Sequence, residues 1–141
     1  MMGGIQNLTI QELKMDKRKA LVVDDEFHIV QVVSIKLKNN GFDVTTAENG
    51  GMAYDLVCQN APDIIVTDYQ MPVMSGLELI QKLRQNPETA HIPVIMLTAR
   101  GFSIEEDQKE QLHIAACLSK PFSPREVLQT IQDVLAQSAT V

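Results

Sequence analysis

The sequence predicts an α/β domain: a doubly wound, five-stranded parallel sheet built as five consecutive βα units. Three observations point there. Short apolar runs alternate with segments whose apolar residues recur at helical spacing. Three of the runs are continuous and rich in Val and Ile, as in strands covered on both faces. Helix-start signals stand ahead of the later helical segments. A chain of this kind forms a parallel sheet with helices on both faces, because each right-handed crossover must pack back onto the sheet.

The strand candidates are KALVVD (19–24), DVTTA (43–47), DIIVTD (63–68), PVIMLTA (93–99) and AACLS (115–119). In the first helical segment Ile29, Val32, Val33 and Leu37 share a face, and NNG (39–41) stops it. Ser75 and Glu78 form a capping box ahead of LELIQKLRQN (77–86), and Ser103 with Glu106 is expected to do the same for the next helix. Ser123, Pro124 and Glu126 supply an N-cap, a proline at the first helical position and the matching acid ahead of VLQTIQDVLAQ (127–137).

The domain is expected to span residues 19–137, with a four-residue tail at 138–141 and a flexible extension at 1–18. Within the extension, Thr9 and Glu12 have capping-box spacing. With 45% hydrophobic and 21% charged residues, the chain can bury a core. Aromatics are only 4%, so aliphatic side chains and Met must fill it. A formal net charge of −6 argues against nucleic acid or an anionic membrane as the direct ligand. Cys58 and Cys117 lack metal-ligand spacing and read as free thiols in a reducing compartment. No apolar run reaches the length of a signal segment or a membrane span, so a soluble, cytoplasmic protein is expected.

In an open α/β sheet, ligands bind outside the carboxyl ends of the strands. The first strand delivers Asp24 and Asp25 there, the third Asp68, the fourth Thr98 and the fifth Lys120. The second strand offers Glu48, which reads as ordinary turn chemistry. One Asp at a strand end is usually a turn or N-cap residue. Three acids, a hydroxyl and an amine on one edge form a chemical set. Clustered carboxylates repel unless a cation intervenes, and hard oxygen ligands on a hydrated edge suit Mg²⁺. Asp68, on the central strand, is then a candidate nucleophile toward a phosphoryl group, with Asp24 and Asp25 holding a cation beside it. Lys120 would neutralise phosphoryl charge and Thr98 would donate a hydrogen bond. His28, His91 and His113 show no ligand or triad spacing.

These residues resemble the receiver domain of two-component response regulators. The matching pieces are LVVDDE (21–26), IIVTDYQMPVMSGLEL (64–79), VIMLTA (94–99) and LSKPF (118–122), in that order, and the likeness covers roughly Lys19 to Gln137. It implies a flavodoxin-like fold with strand order 2-1-3-4-5. It also implies Asp68 as phosphoacceptor, an acidic pocket of Asp24 and Asp25 for Mg²⁺, and the backbone carbonyl of Gln70 as a further metal ligand. Thr98 and Lys120 match the hydroxyl and amine that meet the phosphoryl group, Gln70 and Arg100 the positions that tune its lifetime, and the peptide before Pro121 is expected to be cis. The implied partners are a histidine kinase or phosphotransfer protein and a downstream protein on the face of the fourth helix, fifth strand and fifth helix. One position departs: receivers usually carry Tyr or Phe three residues before the lysine, where this chain has Cys117.

The expected function is a phosphoacceptor switch that catalyses its own phosphorylation and dephosphorylation, rather than a metabolic enzyme. Because the chain stops soon after the fifth helix, it reads as a stand-alone, chemotaxis-regulator-like protein. A fragment of a longer regulator or hybrid kinase is the alternative. Aspartyl-phosphate hydrolases place a second Asp two residues after the nucleophile, where this chain has Gln70 after Asp68 and Glu26 after Asp24. A flavodoxin-type cofactor loop would need Ser, Thr or Gly where DDEFHIV stands. A degenerate receiver serving only for docking would be expected to lack one of the key positions, and all are filled.

Overall fold

A computed structural model describes residues 17–99 and 104–139. Thr9, Glu12, Arg100 and Ser103 lie outside the described residues. Strands and helices alternate: β1 (Arg18–Val23), α1 (Phe27–Lys38), β2 (Phe42–Ala47), α2 (Gly50–Gln59), β3 (Ile64–Asp68), α3 (Gly76–Gln85), β4 (Val94–Thr98), α4 (Glu106–Leu112), β5 (Ile114–Ser119) and α5 (Pro124–Ala139). The strands pair in parallel in the order β2-β1-β3-β4-β5.

Strand parity divides the core. Ala20, Val22, Ile64, Val66, Ile95 and Leu97 face α1 and α5, meeting Val33, Leu37, Val127 and Ile131. Their neighbours Leu21, Val23, Ile65, Val94 and Met96 face the other side and pack with Ala53, Val57, Leu79, Ile80 and Leu83 of α2 and α3. The three inner strands are therefore buried at nearly every position, while the edge strands β2 and β5 keep more exposed positions. Burying each large aliphatic side chain contributes about 1.5–3 kcal/mol, enough to fix the register that the site requires.

The capping signals at α3 and α5 form. Ser75 accepts from the Glu78 amide at 3.2 Å while Glu78 accepts from the Ser75 amide at 2.9 Å, and Ser123 with Glu126 repeats the pattern at 3.1 and 2.9 Å. The helix α4 differs from expectation. Its N-cap is Glu105 with no side-chain cap bond, so Glu106 occupies the first helical position and not the third. The helix α5 also continues through Ala139, past the expected end at Gln137. The short α4 buries no residue of its own. Its C-terminal end is held by Arg84 of α3. The half-buried guanidinium donates to the carbonyls of Leu112 and Ile92 at 2.8 Å, Ala90 at 3.0 Å and His113 at 3.3 Å.

Two glycines matter for different reasons. Gly41 ends α1 at φ +89°, with nothing near where a Cβ would lie. Gly76 opens α3 where a Cβ would press on the Asp68 carbonyl and stand 2.9 Å from Met96 Sδ. Gly76→Ala should therefore cost about 2–3 kcal/mol through overpacking, and Gly41→Ala about 1 kcal/mol through backbone strain alone. Urea unfolding of the two variants checks this ranking; an equal or reversed order contradicts it.

Candidate functional site

The register carries five chemical groups to one edge. Val23 of β1 pairs with Thr67 of β3, so Asp24 comes out beside Asp68. Asp68 pairs with Leu97, whose β5 partner is Leu118, so Thr98 and Lys120 follow on the other side. Backbone bonds hold the ends in place: Asp24 N donates to Ala47 O at 3.2 Å, Tyr69 N to Leu97 O at 2.9 Å and Lys120 N to Thr98 O at 2.8 Å. The Lys120–Pro121 peptide is cis.

Lys120 Nζ lies 3.3 Å from Asp68 Oδ1, 3.3 Å from Asp24 Oδ2 and 2.8 Å from Glu26 Oε1. Asp24 and Asp68 are buried, and Asp25 is exposed. Ligand atoms of Asp24, Asp25 and Asp68 all come within 4.8 Å of one another. Asp24 Oδ1 accepts from the Glu26 amide at 2.9 Å, whereas its buried Oδ2 has no hydrogen-bond partner. A buried carboxylate oxygen left in that condition, beside two more carboxylates, is a donor set suited to a hard divalent cation. The cleft above it, about 330 Å³, is lined by Asp25, Glu26, Asp68, Tyr69, Gln70, Ala99 and Lys120.

The electrostatics follow from crowding. Burial, then the charge of Asp24, push Asp68 up to about 6 against the pull of Lys120. Burial also raises Asp24, partly offset by the Glu26 amide and Lys120. Burial alone would lower Lys120, but the hydrogen bond to Glu26 and the charges of Asp24 and Asp68 outweigh it and hold it above the usual lysine range. Glu26 is lowered, chiefly by its hydrogen bond to Lys120. One ammonium thus faces more negative charge than it can balance.

Most sequence-derived positions meet here. Asp24, Asp25, Asp68 and Lys120 converge, and Gln70 lines the same cleft as an exposed residue. Thr98 is buried at the strand end, but its hydroxyl donates to Leu118 O at 3.3 Å and thus to β5 rather than to Asp68. Cys117 is half-buried, packs on the α3 side of the sheet opposite Met96, and has its thiol pKa raised by burial. The sequence reading missed Glu26 as the nearest partner of Lys120. Glutamate is not a favoured N-cap, so its place at the start of α1 was the one signal that could have found it.

A parallel (βα)5 domain with an acid cluster and a lysine at the carboxyl edge defines a class, and the chain belongs to it: the response regulator receiver domain family, whose model matches residues 20–132. It is a signalling switch of two-component systems, a family whose function is to accept a phosphoryl group and whose acidic pocket binds Mg²⁺. Among its relatives is the phosphate regulon transcriptional regulatory protein PhoB of Pseudomonas aeruginosa, 39% identical over 121 residues, covering 84% of this chain and 52% of PhoB. The chain spans about half the length of the curated relatives it matches. Among solved structures, the chemotaxis response regulator CheY4 of Vibrio cholerae matches at a TM-score of 0.77 and 34% identity, covering 84% of this chain and 98% of CheY4. A putative response regulator of Chloroflexus aurantiacus matches at 0.79 and 29%, covering 86% and 99%. Among the described residues no helix is long and apolar enough to cross a membrane.

A carboxyl whose folded pKa exceeds its unfolded value favours the fold while protonated. For Asp68 that contribution is complete below about 4 and is lost as the pH rises through about 6. Metal-free Asp68→Asn should therefore be more stable than wild type near pH 8, by about 2 kcal/mol, with the two converging toward pH 4. Urea midpoints across that range check this. A wild type at least as stable as the variant at the alkaline end contradicts it.

Proposed function

We propose that Asp68 accepts a phosphoryl group from a histidine kinase or phosphotransfer protein, and that the charge on Asp68 switches the domain between surfaces. The observation that carries this reading is the buried Asp68 carboxylate, facing an open cleft with Asp24 on one side and Lys120 Nζ 3.3 Å away on the other. In the reaction an Asp68 carboxylate oxygen forms the new bond to phosphorus while the bond from phosphorus to the donor nitrogen breaks. Lys120 neutralises charge on the phosphoryl oxygens, and the Thr98 hydroxyl leaves Leu118 O to donate to one of them. Asp24, Asp25, Asp68 and the backbone carbonyl of Gln70 would hold Mg²⁺, whose contribution is further charge neutralisation. Return to the free carboxylate proceeds by attack of water on phosphorus within the same site. Gln70 and Arg100 stand at the sequence positions that, by the resemblance, tune the lifetime.

Phosphorylation replaces one carboxylate with a group carrying about −1.5 to −2 charges and three acceptor oxygens. The recruited Thr98 biases the loop between β4 and α4, and the output appears on the face built from α4, β5 and α5. With Cys117 in place of the usual aromatic residue, that face is moved by Thr98 and by the shallow α4 rather than by an aromatic ring turning inward. The partners on this reading are cytoplasmic proteins, with no direct contact to nucleic acid. Residues 19–137 are the signalling unit, flanked by an N-terminal extension and a short tail.

Intact-mass spectrometry after incubation with a small phosphodonor tests this. A single base-labile phosphoryl addition is expected in wild type with Mg²⁺, and none with chelator or in Asp68→Asn. No addition to folded wild-type protein would leave a docking module instead.

A further inference from the structure

We propose that Glu26 is a positioning residue that holds Lys120 in competition with the phosphoryl group, and so sets the balance between the unmodified and phosphorylated forms. The proposal rests on the reading of Asp68 as phosphoacceptor. Glu26 is the N-cap of α1, yet its side chain makes no capping bond. Its Oε1 instead accepts from Lys120 Nζ at 2.8 Å, a contact 94 residues apart in the chain. The same nitrogen stands 3.3 Å from both Asp24 Oδ2 and Asp68 Oδ1, so the acid outside the buried pair holds the amine closest. The Glu26 amide is fixed by its 2.9 Å bond to Asp24 Oδ1, which sets where the side chain departs. Its second oxygen faces His28 Nε2 at 3.9 Å on the exposed side.

An ammonium has three donors, and Lys120 already has three carboxylate partners. A phosphoryl group on Asp68 brings more charge and three acceptors to the same ammonium, so each Lys120 N–H it engages is withdrawn from the present carboxylate partners, Glu26 among them. The Glu26 side chain is 46% exposed, so water takes up the released carboxylate at little cost and the anchor is reversible. Glu26 therefore favours the unmodified state, through the ammonium that both states require.

The test uses the beryllium trifluoride anion, a tetrahedral stand-in for a phosphoryl group on a carboxylate. Binding is followed by fluorine NMR at saturating Mg²⁺ in wild type, Glu26→Gln and Glu26→Asp, with urea midpoints confirming that all three fold. Glu26→Gln should bind the analogue about three-fold tighter, the size of a partly exposed ion pair. Glu26→Asp keeps the charge but withdraws it by one methylene from Lys120, and should also bind tighter. Affinities for Glu26→Gln equal to or weaker than wild type overturn the proposal. Tightening in Glu26→Gln with wild-type affinity in Glu26→Asp overturns it too, because charge at the cleft mouth then suffices without the pair. Absence of analogue binding by folded wild type removes the Asp68 reading, and this proposal with it.

Discussion

One ammonium among three carboxylates is the constraint on which the site depends. Lys120 lies within 3.3 Å of Asp24 and Asp68 and closer still to Glu26, while Asp25 adds a fourth acid at the rim. The positive charge is insufficient to offset burial, which is the first cause of the upward shifts of both buried aspartates, with the charge of Asp24 adding at Asp68. A second cation relieves that shortfall, and Asp24 Oδ2, buried with no hydrogen bond and only the Lys120 ammonium 3.3 Å away, offers that cation a ligand. Lys120 is thus both the brace of the acid cluster and the group that must meet an incoming phosphoryl. The same residue cannot fully serve both roles at once, which is why the outer acid, Glu26, gains influence.

The scaffold supplies this crowding through register. Parallel pairing places the residues after β1, β3 and β5 side by side at one edge, and strand parity commits their neighbours to one core layer or the other. A slip of one residue in β3 would turn Asp68 toward the wrong face and bury a different side chain at the site. The close approach of α3 at Gly76 to the Asp68 carbonyl fixes the strand end from below. The acid cluster is unfavourable in itself, and the apolar layers on both faces hold it in place.

Much of this was legible in the sequence. Continuous Val- and Ile-rich runs identified the inner strands, and the residues at the carboxyl end of each run brought Asp24, Asp25, Asp68, Thr98 and Lys120 to one edge. Interactions that depend on three-dimensional reach were not legible. Glu26 is adjacent in sequence to the acids but acts on an amine 94 residues away, and no spacing rule encodes that distance. Arg84 carries no motif in the sequence, yet it ties the end of α4, at Leu112 and His113, to the segment before β4, at Ala90 and Ile92. The start of α4 was misplaced for a related reason. Ser103 with Glu106 matches a capping box in composition, but the helix begins at Glu106 after an N-cap that uses no side chain. Cys117 reads from the sequence as a free thiol, and the structure adds that it is half-buried with its pKa raised by burial.

The chemistry of the site turns on an aspartate whose proton affinity is raised by burial and by the neighbouring Asp24, and which a cation would lower. Carbon-13 NMR of the Asp68 side-chain carboxyl during a pH titration, with and without Mg²⁺, reads this directly. The titration should centre near 6 in metal-free protein and move well below the ordinary carboxylate range, under about 3, when Mg²⁺ is saturating. A midpoint near 4 that Mg²⁺ leaves unchanged would contradict it.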